Sequence, residues 1–123
     1  MEEKNVSLSN EVNTDNNQDE QVRGYHETMY VTKSGLGDAT SGSTGSLTGY
    51  AYYSASCTMG MIFATAQYYD NNDQKYKNIA GSTRTLTSGS SFSGLSTNEP
   101  GAVLLRLSLT GPGTGEGSIQ GYN

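Results

Sequence analysis

The residues equipped for catalysis are few and scattered. His26 is the only histidine, so a charge-relay triad, a histidine zinc site or a proton shuttle would each have to use it. It falls on the polar face of an alternating run, with no Ser, Cys or carboxylate constellation around it, and reads as a solvent-facing strand residue. Cys57 is the only cysteine, which excludes an intrachain disulfide and a cysteine metal cluster. No His or cation stands near it in sequence to favour the thiolate, so it reads as a small buried hydrophobe. Asp70-Asn71-Asn72-Asp73 is the one oxygen-rich cluster. It lacks the fixed Gly and terminal Glu of a calcium loop, and Asp and Asn are the ordinary residues of a hairpin tip. Paired carboxylates for glycoside hydrolysis would have to come from Glu27, Asp38, Asp70, Asp73, Glu99 and Glu116. Most of these lie in turn-like segments, where exposed carboxylates are normal. The Gly-rich stretch 111–117 lacks the Lys-Ser/Thr ending of a phosphate cradle. No catalytic residue, metal or cofactor is expected, and the chain reads as a non-enzyme.

Recognition is better supplied. The sequence holds nine Tyr and no Trp. Tyr30, Tyr50 and Tyr52 fall on the polar faces of alternating runs, and Tyr69 and Tyr76 flank the Asp/Asn turn. A row of exposed tyrosines makes a binding platform, because each ring offers apolar area and a polar tip at low entropic cost. These five are the expected ligand-binding residues. The competing reading is that Tyr has high strand propensity and packs across strands.

The elements that must hold these residues follow from periodicity. In 25–33, Tyr25, Met29 and Val31 share one face, and His26, Thr28, Tyr30 and Thr32 the other, the pattern of a half-buried strand. Residues 34–45, rich in Gly, Ser and Thr, read as a loop. The run 46–57 places Leu47, Ala51, Tyr53, Ala55 and Cys57 inward. Such small inward residues suggest close approach of a facing sheet. Gly60 breaks the chain. Ile62, Ala64, Ala66 and Tyr68 then face inward, with a helix over this run as the competing assignment. A hairpin through 70–74 leads to further strand chemistry over 75–87. A short strand carries Phe92 and Leu95 inward. Pro100-Gly101 marks a turn. The clearest strand, 102–110, sets Val103, Leu105, Leu107 and Leu109 inward and Leu104 and Arg106 outward. A Gly-rich turn and a last strand with Ile119 inward end the chain. About seven short antiparallel strands predict an all-β, immunoglobulin-like sandwich over 23–123.

Residues 1–22 differ in kind. Glu2, Glu3, Glu11, Asp15, Asp19 and Glu20 stand against Lys4, so this segment carries the whole net charge of −5. Low hydrophobicity and high charge predict a disordered acidic leader. The 123 residues fit one folded domain. The domain itself is neutral and lacks a basic stripe, so no nucleic-acid partner is expected. No apolar run is long enough for a membrane span. Few Lys and Arg beside abundant Ser, Thr, Gly, Tyr and Asn favour a secreted or cell-surface protein whose signal peptide has been removed.

The string AQYYDNNDQKYKNI, followed by GSTRTLTSGSS and AVLLRLSLT, resembles small exported proteins of Gram-positive, clostridial type. Arg23-Gly24 after an acidic leader fits the same pattern, although Gln74-Lys75-Tyr76 stands where a Trp is usual. The resemblance implies a seven-stranded immunoglobulin-like sandwich without established activity. Lactococcin-like bacteriocins, also small β-sandwiches but shorter and richer in His and Trp, are a second similarity. The expected function is therefore non-catalytic binding of a glycan, cell wall or protein surface. The alternative is a bacteriocin-like or toxin-component antagonist.

Overall fold

The computed structural model describes residues 25–123, with side chains from Glu27 onward. The expected leader 1–22 and the side chains of Tyr25 and His26 lie outside the described residues. Ten strands follow in order: β1 (Tyr25–Lys33), β2 (Ala39–Thr40), β3 (Thr44–Ser46), β4 (Tyr50–Met59), β5 (Met61–Asp70), β6 (Lys75–Asn78), β7 (Arg84–Thr87), β8 (Ser91–Leu95), β9 (Val103–Thr110) and β10 (Thr114–Tyr122). The described residues contain no helix. The helical alternative for 61–69 is thereby excluded: the run is β5, in register with β7 and β9, and sets Ile62, Ala64 and Ala66 on one buried face.

All pairing is antiparallel and nested. β1 pairs with β10, β2 and β3 with β9, β4 with β8, and β5 with β6 and β7. The chain is thus one long hairpin with its tip at 70–75, wound up on itself. Winding adds the pairs β10–β4 and β9–β5. Sheet 1 has the order β1-β10-β4-β8, and sheet 2 runs β2/β3-β9-β5-β6/β7. This is the connectivity of a jelly roll. The expected class, an antiparallel two-sheet sandwich, is met. The strand order is not the immunoglobulin one, which sets the first, second, fifth and fourth strands in one sheet; here the first strand lies beside the last.

Three differences from the sequence expectation have local causes. The segment 34–45 contains β2 and β3, two and three residues long. Their register on β9, and not their composition, makes them strands. The run 75–87 splits at Ile79, which turns into the core at 2% exposure while the buried Ser82 holds the link between β6 and β7. Ser82 Oγ donates to the Ile79 carbonyl at 2.7 Å, and its backbone oxygen accepts from Tyr53 Oη at 2.5 Å. Seven expected strands become ten because of these breaks. Finally, β10 begins at Thr114 and runs through glycines that read as a turn.

Those glycines are a packing requirement. Gly115, Gly117, Ile119 and Gly121 are the inward residues of β10, facing Cys57, Ala55, Tyr53 and Ala51 on β4. A Cβ on Gly117 would lie 2.6 Å from Leu107 Cδ2, and one on Gly121 would lie 1.8 Å from the Gly45 carbonyl oxygen. The inner face of sheet 1 is therefore small at Gly115, Gly117, Ala51 and Ala55, between the larger Tyr53 and Ile119, and sheet 2 brings large residues against it: Ile62, Leu105, Leu107 and Leu109 are fully buried. Large against small lets two layers interdigitate without voids.

Leu47 and Leu95 were expected inward and are 68% and 53% exposed. Leu47 stands outside any strand, so alternation does not bind it. Leu95 has the parity of Ser91 and Ser93, opposite to Phe92, which packs edge-on against Tyr53 at 5.0 Å. Lys33 was not expected in the core, yet is only 3% exposed. Its stem continues the inward set of β1, and its ammonium donates to the carbonyls of Gly35 and Gly113, which ties the end of β1 to the β9–β10 turn.

The two faces of β9 give a direct check. Leu107→Ala is expected to lower unfolding free energy by about 2–5 kcal/mol in urea titration, through lost burial and a residual cavity. Leu104→Ala, at a side chain 49% exposed, is expected to change it by less than about 1 kcal/mol.

Candidate functional site

The expected tyrosines separate onto two surfaces. Tyr30, Tyr50 and Tyr52 lie on the outer face of sheet 1, 76%, 38% and 38% exposed. The register sets them in a grid. One cross-strand row is Tyr30, Ser118, Ser54, Ser93; the next toward the chain termini is Thr28, Gln120, Tyr52, Leu95; beyond it Tyr122 lies beside Tyr50. Tyr122, missed at the sequence level, extends the aromatic end of this face. Its signal was parity: in SIQGY it alternates with the inward Ile119 and Gly121.

Between Tyr30 and β8 the face sinks. The short side chains of Thr32, Ser54, Ser56, Ser91 and Ser118 floor a shallow depression of about 350 Å³ edged by Tyr30. Ser54 Oγ and Ser118 Oγ are hydrogen-bonded at 2.9 Å across the centre, and Glu116 is the one carboxylate in the lining. The chemistry on offer is an aromatic wall, a hydroxyl floor and a single anionic acceptor. From Tyr30 to Tyr52 the sheet spans about 12 Å between Cα atoms, from two strand spacings and a two-residue step.

Tyr69 and Tyr76 lie on the outer face of sheet 2, paired directly across β5 and β6. Their rings meet edge to face at 5.2 Å. The Arg106 guanidinium stacks 4.0 Å from the Tyr76 centroid. Arg106 Nε donates to Gln67 Oε1 at 2.8 Å, and Gln67 Nε2 to Asn78 Oδ1 at 2.8 Å. Tyr76 Oη is also hydrogen-bonded to Ser43 Oγ. This pair packs across its strands and does not join the tyrosines of sheet 1. A second depression, of about 340 Å³, runs beside Tyr69 between Leu47 and Leu104.

The Asp/Asn turn is held by its own side chains. Asp70 caps its own hairpin: its Oδ1 accepts from the backbone N–H groups of Asn72 at 2.8 Å and Asp73 at 3.3 Å. Gln74, with φ of 55°, takes the left-handed position that returns the chain. Lys77 bridges Asp70 at 2.7 Å and Asp73. The Lys77 hydrogen bond, then those of the backbone, hold the Asp70 carboxyl below its ordinary value, and the two carboxylates raise Lys77. Cys57 is buried, with Sγ 3.5 Å from the carbonyl oxygens of Met59 and Gly60. Burial pushes the Tyr53 phenol up. Among the described residues, no group of three His, Cys, Asp or Glu could hold a metal ion, and no helix is long and apolar enough to cross a membrane.

Comparison with family models, with curated proteins and with solved structures returns no match. Any functional reading therefore rests on the geometry above.

The hairpin makes a pH prediction. Asp70 is lowered from 3.8 in the folded chain, so its contribution is present above that value and fades as pH falls through the depressed one. Asp70→Asn is expected to flatten this acid limb of the stability curve, read as thermal midpoint against pH. An unchanged acid limb would show that the carboxylate contributes nothing to the tip.

Proposed function

We propose that the protein is a non-catalytic binding module, secreted or displayed on a cell surface, that takes a glycan across the outer face of sheet 1. The observation that carries this reading is the pairing of Tyr30, 76% exposed, with a hydroxyl-floored depression. A sugar ring presents an apolar face and a rim of hydroxyls. Tyr30 and Tyr52 meet the first by stacking; Ser56, Ser118 and Glu116 meet the second by hydrogen bonds. The span of about 12 Å between the two tyrosines is the scale of a disaccharide, so an extended chain would engage both. The jelly-roll fold is used by lectins among many others, and is compatible with this reading without carrying it.

The face is supported by a rigid layer, because Tyr53, Ala55 and Ile119 on the opposite side of the same strands are buried. A ligand meeting it would order few protein groups, which keeps the entropic cost of binding low. No step in this reading needs a nucleophile, and Cys57, the only thiol, faces the core.

Calorimetric titration with soluble cell-wall oligosaccharides tests the proposal. Tyr30→Ala is expected to weaken binding about tenfold, from loss of one stacking contact. It should leave the thermal midpoint nearly unchanged, as for an exposed site. Heats that vanish for every oligosaccharide would defeat the reading, as would Tyr30→Ala and Tyr52→Ala variants that bind like the parent.

A further inference from the structure

A β-sheet edge left without a guard is an invitation to pair, and the edges of this sandwich are guarded unequally. In sheet 2, one edge is made of β2 and β3, which are only two and three residues long. The other carries Lys75 and Lys77 on β6 and Arg84 on β7. In sheet 1, β1 carries Glu27 and a register shift between Tyr25 and Thr28. β8, SFSGL, is the exception. It has no charge, no Pro and an unbroken register on β4, and it is the terminal strand of its sheet.

The hydrogen-bond phase of β8 shows which groups face outward. Cys57 N donates to the Ser90 oxygen at 2.9 Å, and Ser96 N to the Ala51 oxygen at 2.8 Å. In an antiparallel pair, bonding residues alternate. Residues 90, 92, 94 and 96 therefore bond to β4, and the N–H and C=O groups of Ser91, Ser93 and Leu95 point away from the sheet.

We propose that β8 pairs with β8 of a second copy of this chain, antiparallel, about a two-fold axis at Ser93. This goes beyond the glycan reading and does not depend on it. In that register Ser93 exchanges both of its hydrogen bonds with its own counterpart, and Ser91 exchanges both with Leu95 of the other copy, in each direction. All outward backbone groups of the strand are satisfied. A one-residue slip would face inward-bonding groups against outward ones.

The side chains fit the same register. Phe92 falls opposite Gly94 of the second copy. Gly94 has open space above it: a Cβ there would meet nothing within 4 Å. The ring of Phe92, half-buried against Tyr53 at 5.0 Å, would cover that space, and the glycine removes the obstacle to its approach. On the outer face, Leu95, 53% exposed, would lie beside Ser91 of the second copy and lose part of its contact with water. The result is an isologous contact of the kind that closes on itself. It joins the two sheet 1 layers into one continuous sheet with both tyrosine faces on the same side.

The paired strand is short, so the association is of the weak class and appears at high protein concentration. Sedimentation velocity of the full chain over a concentration series tests it. The parent is expected to move from monomer to dimer and no further. Ser93→Pro removes the central donor and should abolish dimer. Ser93→Lys sets two like charges against each other at the axis, and should weaken dimerisation about tenfold or more while the side chain stays on the outer face. If Ser93→Pro does not fold, by circular dichroism and thermal melting, Ser93→Lys decides alone. A parent that stays monomeric throughout, a dimer unmoved by Ser93→Lys, or growth into larger species would each overturn the proposal.

Discussion

The two inner faces of this sandwich interlock, and the fold depends on glycine and alanine of sheet 1 standing where large aliphatic side chains of sheet 2 come close. Leu105, Leu107 and Leu109 on β9, with Ile62 on β5, project from sheet 2. They need a facing layer that yields. Gly115 and Gly117 on β10 and Ala51 and Ala55 on β4 provide it. The contact of Leu107 with the backbone at Gly117 sets the spacing. A methyl group at that glycine would force one layer away from the other, and core packing tolerates such overfilling poorly.

This arrangement also decides which side chains face outward. Inward positions are taken by packing, so the outward parity of sheet 1 is left for Tyr30, Tyr50, Tyr52, Ser54, Ser118 and Glu116. The Ala and Gly on the inner face do not weaken that surface, because the residues between them on the same strands are held by a continuous ladder from β1 to β8. Sheet 2 uses its outward parity differently. Arg106, Tyr76, Gln67 and Asn78 bind one another there, a polar network that joins β9, β5 and β6. The two outer faces thus differ in composition: tyrosines and short hydroxyl side chains on sheet 1, and a stacked, hydrogen-bonded network of long side chains on sheet 2.

Cross-over points show how the chain changes layers with few special residues. Gly60, at φ of 74°, carries β4 of sheet 1 directly into β5 of sheet 2 by a conformation that side-chain-bearing residues rarely adopt. Ser82 holds a different kind of junction, the link between β6 and β7, which stay in the same sheet beside β5. It is fully buried, yet both its hydroxyl and its carbonyl are satisfied, as buried polar groups must be. Lys33 obeys the same rule at the far end of the core, where two carbonyls receive its ammonium.

Alternation along the chain was enough to establish the all-β class, the inward sets of β5 and β9, the hairpin at 70–74 and the exposure of Tyr30, Tyr50 and Tyr52. Period two is a local property, and each of these follows from residues within one strand. What sequence could not supply was partnership. Gly115 and Gly117 look like turn residues until Leu107 stands opposite them, and β2 and β3 have no strand character until β9 offers an edge. Leu47 alternates correctly on paper but has no ladder to hold it. The grouping of tyrosines onto separate sheets likewise depended on which strands lie side by side. In a wound hairpin those are residues far apart in the chain, such as Tyr50 and Tyr122. Local composition fixes which way a side chain points along a strand; only the pairing of distant strands decides what it points toward.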